Sequence, residues 1–196
     1  MARMFAALVP PEDALEHLTR FLEPRQEAES DLRWTVPEQW HVTLAFMHDV
    51  ADRSLDDLLA RLSRAAARRT PFEVTVAGGG AFPNPGRAKV LFAALEVAPD
   101  RVELDRLATG ARAAANKAGA ESDGGRFHPH LTLARVRRPA EVTRWVRVLD
   151  TYRGPAWRAE EVALVESHLG EGPRKRPRYE VVGTFPLGTR GRSVRS

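Results

Sequence analysis

The chain has 196 residues, of which 43% are hydrophobic, a composition that suits a globular domain with a substantial core and excludes an intrinsically disordered chain. It contains no cysteine, so disulfide bonds and thiolate metal sites are excluded, and we expect a reducing, cytoplasmic location. The formal net charge of +4 would favour polyanionic partners, although much of the excess lies in two segments, 173–178 and 189–196.

Hydrophobic patterns predict seven strands and four helices. Apolar runs bounded by proline and glycine indicate strands near 3–9, 40–47, 72–77, 88–97, 130–136, 160–168 and 179–187. Helical periodicity predicts helices near 11–22, 54–68, 101–118 and 139–150. Two prolines and acidic residues follow the N-terminal run, which is typical of a strand and turn and not of a signal peptide. No apolar run approaches the roughly 20 residues of a membrane-spanning helix, so we expect no membrane partner.

These elements follow a repeated order. A strand, a helix, a strand, a helix and a strand come first, and the series starts again with the strand near 88–97. Turns rich in glycine and proline join the strands near the end of each half, which predicts hairpins and antiparallel pairing. We therefore expect an α+β fold with two pseudo-two-fold related lobes, each an antiparallel sheet with flanking helices, and a cleft between them. Residues 1–188 would form this single, monomeric domain, and 189–196 a basic, flexible tail.

One polar motif occurs in both halves, in strands that otherwise have a buried character. WHVTLAF contains His41 and Thr43, and FHPHLTLARV contains His130 and Thr132. Side chains two residues apart in a strand point to the same face, so each motif offers an imidazole and a hydroxyl to one space. A lone copy would most often be a packed strand residue, but two copies in equivalent strands predict one site built from both halves.

The paired motifs suit acid–base chemistry on a phosphate group. Imidazole titrates near pH 6.5, so one histidine can accept a proton while the other donates one. Hydroxyls and an arginine can hold phosphate oxygens. A metal site at His128 and His130 is the alternative, but Pro129 distorts the strand between them and no Asp or Glu lies at the usual spacing. We expect no metal and no cofactor.

The motifs HVTL at 41–44 and HLTL at 130–133 resemble the paired His-X-Thr-X motifs of the 2H phosphoesterase superfamily. Within it, the chain is similar to the RNA 2′,3′-cyclic phosphodiesterase family, which is also named for 2′-5′ RNA ligase activity. The resemblance extends from the opening RMFAALVPP to the closing RYEVVGTFPL and leaves out only the C-terminal tail.

This resemblance implies metal-independent hydrolysis of a 2′,3′-cyclic phosphate at an RNA end, giving a 2′-phosphate. It implies that His130 activates water as general base and that His41, as general acid, protonates the departing 3′ oxygen. Thr43 and Thr132 would bind phosphate oxygens, and Arg135 would add positive charge beside them. Strict strand alternation places Arg135 on the opposite face from His130, so its role requires a bend in the strand.

Other residues and functions remain open at this point. Phe127 is a candidate for stacking on a terminal base, although a place in the core is the stronger interpretation. His48 is expected either to be exposed or to line the entrance of the cleft. The basic segment 173–178 either adds RNA affinity or forms a solvated turn. The alternative functions are 2′-5′ RNA ligation, hydrolysis of small cyclic nucleotides at the same site, and a non-catalytic module that binds RNA ends.

Overall fold

The structure, a computed structural model, describes residues 2–26 and 32–188, and the predicted tail 189–196 lies outside these residues. In this part of the chain there are four helices, α1 (Glu12–Gln26), α2 (Asp52–Ala67), α3 (Val102–Lys117) and α4 (Thr143–Leu149). The described residues also form nine strands, β1 (Ala2–Leu8), β2 (Leu32–Trp34), β3 (Val42–Val50), β4 (Phe72–Phe82), β5 (Ala88–Ala98), β6 (Leu131–Ala140), β7 (Arg153–Ala159), β8 (Glu161–His168) and β9 (Arg178–Pro186).

Every element predicted from the sequence is present, and the sequence missed two strands. β2 has only three residues, too few for a periodic signal. β7 contains Pro155, which argues against a central strand but is tolerated here because β7 is the edge of the sheet. The predicted start of the fourth helix at Pro139 is wrong, because β6 runs through that proline to Ala140 and α4 begins at Thr143.

The strands form one antiparallel sheet made of two halves that meet at a single residue pair. The strand order is β7-β4-β5-β6-β3-β1-β8-β9, and β2 adds to β6. The contact between the halves is the bridge between Val42 on β3 and Leu131 on β6. The halves are related by exchanging β6 with β3, β5 with β1, β4 with β8, and β7 with β9. The predicted α+β class with two antiparallel lobes is therefore confirmed.

The helices and alternate strand residues build the main core, which includes buried residues of all four helices. On β1 and β8 the residues of opposite parity face the other way and form a second, small cluster of Phe5, Ala7, Ala163 and Val165. Within residues 2–26 and 32–188, this second cluster includes no residue of the four α-helices. None of the helices in the described ranges is long and apolar enough to cross a membrane.

Candidate active site

The two His-X-Thr motifs meet at the junction of the two half-sheets. The pairing of Val42 with Leu131 is antiparallel, so the same register places His41 across from Thr132 and Thr43 across from His130. Val42, Leu131 and the following leucines are fully buried in the main core. The four polar side chains therefore point to the opposite face, where all of them line one cavity of about 710 Å³. That volume lies within the roughly 300–1,000 Å³ typical of ligand pockets.

Each histidine is held in the same way by its own chain. The His41 Nδ1 lies 2.7 Å from the carbonyl oxygen of Gln39, and the His130 Nδ1 lies 2.6 Å from that of His128. Since a carbonyl oxygen only accepts hydrogen bonds, each Nδ1 carries the proton and donates it. The Nε2 of both rings is then the nitrogen available to a ligand, as acceptor when the ring is neutral and as donor when it is charged.

Aromatic rings pack against both imidazoles and fix their orientation. The ring of His41 stacks on Phe5, with centroids 4.3 Å apart, and meets the edge of Tyr179 at 5.6 Å. His130 contacts Phe82 and Phe92 at centroid distances of 5.0 and 5.3 Å. These rings replace water around the imidazoles and so disfavour their charged forms.

The surroundings lower the pKa of both histidines. Burial is the main cause at His41, where the charges of His130 and Arg135 add to it against the hydrogen bond to Gln39, and the pKa falls from 6.5 to about 4. Burial also lowers the pKa of His130, helped by His128 and Arg135 and opposed by the bond to the His128 carbonyl. Both imidazoles are therefore neutral in the free protein at neutral pH.

A β-bulge brings Arg135 to the cavity. Along β6, Thr132 pairs with Phe92 but Ala134 pairs with Leu91, so Leu133 is an additional residue in β6. Leu133 and Ala134 both point into the main core, and Arg135 returns to the side of His130. The bend that the sequence analysis required for Arg135 is thus present.

A matching bulge follows the first motif. Ala7 pairs with Thr43 and Ala6 with Ala45, so Leu44 is the additional residue, and both Leu44 and Ala45 are buried in the main core. Phe46 then lines the cavity, five residues after His41, as Arg135 lies five residues after His130. Where the second motif supplies a guanidinium, the first supplies an aromatic ring.

The cavity is strongly basic. Among its described lining residues there are five arginines and no carboxylate, the arginines being Arg3, Arg33, Arg135, Arg174 and Arg176. The Arg3 guanidinium lies over the ring of Phe46, 4.5 Å from its centroid. An anionic ligand is the class that such a lining favours.

Sequence reasoning missed several of these cavity residues. Arg3, Gln39 and Tyr179 line the cavity but lie outside both motifs. Arg3 shares its strand face with Phe5, so alternation along β1 was an available signal once that face was known to be functional. Gln39 lies two residues before His41, so its carbonyl is placed by local backbone structure, whereas Tyr179 is brought in by the last hairpin.

Two other candidates lie outside the cavity lining. Phe127 is half-buried and packs against the main core, with the Arg112 guanidinium 5.7 Å from its ring centroid. His48 is exposed, and its Nε2 lies 3.2 Å from a carboxylate oxygen of Asp123. No group of three or more His, Cys, Asp or Glu side chains that could hold a metal ion occurs in residues 2–26 and 32–188.

Comparisons with known proteins agree with this geometry. The family model described as LigT like Phosphoesterase matches residues 8–92 and 95–174. The chain is 34% identical to the RNA 2′,3′-cyclic phosphodiesterase of Thermus thermophilus, with 97% of this chain and 93% of that protein covered. It is 32% identical to the protein of the same name from Archaeoglobus fulgidus, with coverages of 69% and 73%.

Solved structures show the same fold. The crystal structure of TT0787 of Thermus thermophilus superposes with a TM-score of 0.74 at 32% identity, covering 96% of this chain and 99% of that one. The crystal structure of E. coli LigT in its apo form gives a TM-score of 0.74 at 22% identity, with coverages of 95% and 97%.

Proposed function

The chain belongs to the LigT-like phosphoesterase family, and we propose that it hydrolyses the 2′,3′-cyclic phosphate at an RNA end to a 2′-phosphate, by acid–base catalysis of His41 and His130 without a metal ion. One observation carries the proposal. Two imidazoles, each with Nδ1 bound to a backbone carbonyl, face one cavity lined by arginines. Relatives named as RNA 2′,3′-cyclic phosphodiesterases support the choice of substrate.

The phosphate group of the substrate would lie between the two motifs. Each histidine stands across from the threonine of the other motif, so the hydroxyls of Thr43 and Thr132 can donate to phosphate oxygens from both sides. Arg135 enters from the bulge and adds a charge-assisted contact. Donors aimed at oxygens on which negative charge develops stabilise the transition state more than the ground state.

The reaction itself needs one proton accepted and one donated. The neutral Nε2 of His130 removes a proton from water as the water oxygen bonds to phosphorus. The bond from phosphorus to the 3′ oxygen breaks, and the protonated Nε2 of His41 gives its proton to that oxygen. The products are a 2′-phosphate and a 3′-hydroxyl, with His130 charged and His41 neutral, and proton exchange with solvent restores the starting state.

The low pKa of His41 links this chemistry to substrate binding. In the free protein both imidazoles resist protonation, mainly because they are buried. A phosphate anion beside the rings favours the imidazolium form, because a nearby opposite charge raises an imidazole pKa. Binding of the substrate therefore promotes the protonated state that His41 needs, and the same low intrinsic pKa makes it a strong donor.

The terminal base would stack on an aromatic residue of the cavity lining. Phe127, the stacking residue considered from the sequence, lies outside that lining. Phe46 is half-buried and lines the cavity, whereas Trp34 pairs with Ala134 and packs against the main core. Aromatic faces accept any base, since every base has a π-face. We therefore propose that the terminal base stacks on Phe46.

The test is incubation of the protein with an RNA oligonucleotide that ends in a 2′,3′-cyclic phosphate, in the presence of EDTA. The expected product is a 2′-phosphate, identified by ³¹P NMR, and one ¹⁸O atom should enter it when the water is labelled. A 3′-phosphate product would contradict the assignment of His41 as donor to the 3′ oxygen. Binding without turnover would contradict catalysis and support the module that only binds RNA ends.

A further inference from the structure

The cavity holds more positive charge than one cyclic phosphate requires. A 2′,3′-cyclic phosphate is a monoanion, and Arg135 is the arginine whose charge lowers the pKa of both histidines. Arg33 lies across from Arg135 in the β2–β6 pairing and so belongs to the same side of the cavity. Arg174 and Arg176 come from a different element, the turn between β8 and β9.

That turn is held in place by hydrogen bonds. The backbone N–H of Gly172 donates to the carbonyl of Arg176 at 2.8 Å, and the N–H of Arg176 donates to the carbonyl of Pro173 at 3.1 Å. Gln39, whose own carbonyl orients His41, donates from Nε2 to the carbonyl of Pro177 at 2.6 Å. The turn is thereby tied directly to the first motif.

The backbone conformation of the turn is costly, and hydrogen bonds within the turn hold it. Arg174 and Lys175 adopt left-handed φ values of 54° and 59°, which non-glycine residues rarely do. A Cβ at Gly172 would collide with the carbonyl oxygens of Arg176 and Pro177, so only glycine allows this closure. Strained backbone of this kind is concentrated at functional sites.

The acidic residues at the base of the turn form ion pairs with an arginine that is absent from the cavity lining. Arg178 makes ion pairs of 2.9 Å with both Glu171 and Glu180. Among the ion pairs of the described residues, none includes Arg174 or Arg176. Their charges therefore remain available to a ligand in the cavity.

We infer that Arg174 and Arg176 form a subsite for a second phosphate of the substrate, the one on the 5′ side of the terminal nucleotide. The inference rests on the proposed function, because a chain that ends in a cyclic phosphate has its further phosphates only on the 5′ side. The enzyme would then prefer oligoribonucleotide ends to cyclic mononucleotides that lack a 5′ phosphate. Of the two roles considered for the basic segment 173–178, this inference favours a contribution to RNA affinity, made by Arg174 and Arg176.

The test compares two substrates and three variants of equal charge change. The substrates are cytidine 2′,3′-cyclic phosphate, which has no second phosphate, and a tetranucleotide that ends in a 2′,3′-cyclic phosphate. The variants are Arg174→Gln, Arg176→Gln and, as matched control, Lys175→Gln. Lys175 is exposed in the same turn and is absent from the cavity lining, so its loss reports only on general attraction between charges.

For the tetranucleotide, kcat/KM of Arg176→Gln should fall about tenfold, the lower end of the effect of losing one charge-assisted hydrogen bond, because Arg176 is partly solvated. The more exposed Arg174 should show a smaller loss. For the mononucleotide, Arg174→Gln and Arg176→Gln should lower kcat/KM no more than Lys175→Gln does, because only the general attraction between charges is lost. Equal losses on both substrates, or a loss in Lys175→Gln as large as in Arg176→Gln, would overturn the subsite.

A neutral linkage sharpens the assignment. Replacing the phosphodiester on the 5′ side of the terminal nucleotide by a methylphosphonate removes its charge. The kcat/KM of the unmutated protein should then fall by about the same tenfold. Arg176→Gln should lose nothing further, since the two changes remove one interaction. Additive losses would show that the arginine contacts something else.

Failure of the proposed function has a separate signature. If the unmutated protein opens neither substrate, the proposed reaction is wrong, whatever the state of the subsite. Fluorescence anisotropy with the labelled tetranucleotide then tests the subsite by binding alone. Binding weakened in Arg176→Gln but not in Lys175→Gln would still support it, and equal binding by all variants would refute it.

Discussion

The two halves of the site start from nearly the same sequence and end in different surroundings. Both histidines donate Nδ1–H to the carbonyl two residues before them, and a bulge follows each motif at the same distance. The bulge presents Phe46 after the first motif and Arg135 after the second. Aromatic rings pack against both imidazoles, and the charge of Arg135 lowers the pKa of both.

Under the proposed mechanism, this difference would let two copies of one motif take different roles. Histidine geometry is set locally, by the backbone and the strand, so both copies reproduce it. Protonation is set by what packs around the ring, and there the halves diverge, with the pKa of His41 lowered to about 4. Acid and base in one site are distinguished by environment more than by residue type.

Removal of either histidine should have the largest effect on kcat/KM. His41→Ala and His130→Ala should each lower kcat/KM by about 10²- to 10⁴-fold, the usual contribution of a positioned acid or base. The assay is hydrolysis of the cyclic-phosphate oligonucleotide, with the melting temperature measured to show that the fold is intact.

His48→Ala serves as the control, since His48 lies on β3, which begins directly after His41, but is exposed outside the cavity lining. Its activity should equal that of the unmutated protein. A rate like that of the unmutated protein in either His41→Ala or His130→Ala would rule out an obligatory pair.

Loss of the Arg135 charge, in place of which the first motif has Phe46, should have the next largest effect on kcat/KM. Arg135→Gln should lower kcat/KM by about 10- to 150-fold, because a hydrogen bond to a charged group contributes about 1.5–3 kcal/mol. Arg137→Gln, an equal charge change at an exposed position of the same strand, should have little effect. Similar rates for the two variants would exclude a local role for Arg135.

A change of pH should have the smallest of these effects, a change in kcat/KM of about tenfold per pH unit. kcat/KM reports the free protein, whose two histidine pKa values lie at about 4 and below 6.5, so the singly protonated pair is most abundant between them. Above pH 6.5, kcat/KM should therefore fall as pH rises.

The profile of kcat should lie at higher pH, because the bound phosphate anion raises the pKa of both imidazoles. Initial rates from pH 4.5 to 8.5 at saturating and limiting substrate separate the two profiles. A kcat/KM that rises between pH 6.5 and 8.5 would contradict the lowered pKa values.

Much of the fold and the centre of the site could be predicted because they depend on local patterns. Period-two alternation placed His41 with Thr43 and His130 with Thr132 on common faces, and the structure shows all four at one cavity. The repeated element order predicted two antiparallel lobes. The short strand β2 could not be predicted, because three residues are too few to show an alternating pattern.

The rest of the site depends on events that no local pattern specifies. An additional residue in β6 reverses the alternation and moves Arg135 to the cavity, and the sequence reveals only that such a bend is needed. Arg174 and Arg176 reach the cavity because Gln39 fixes a distant turn against the first motif. Phe127 is half-buried against the main core, as its apolar side chain favours.

The most direct measurement is an NMR titration of the imidazole nitrogens, by long-range ¹H–¹⁵N correlation with and without inorganic phosphate. At pH 7, His41 and His130 should both carry the proton on Nδ1, and both should titrate below 6.5 with His41 near 4. Phosphate should raise both pKa values together. Protonation of Nε2 at either ring, or a phosphate response at only one, would contradict a single site with two opposed catalytic imidazoles.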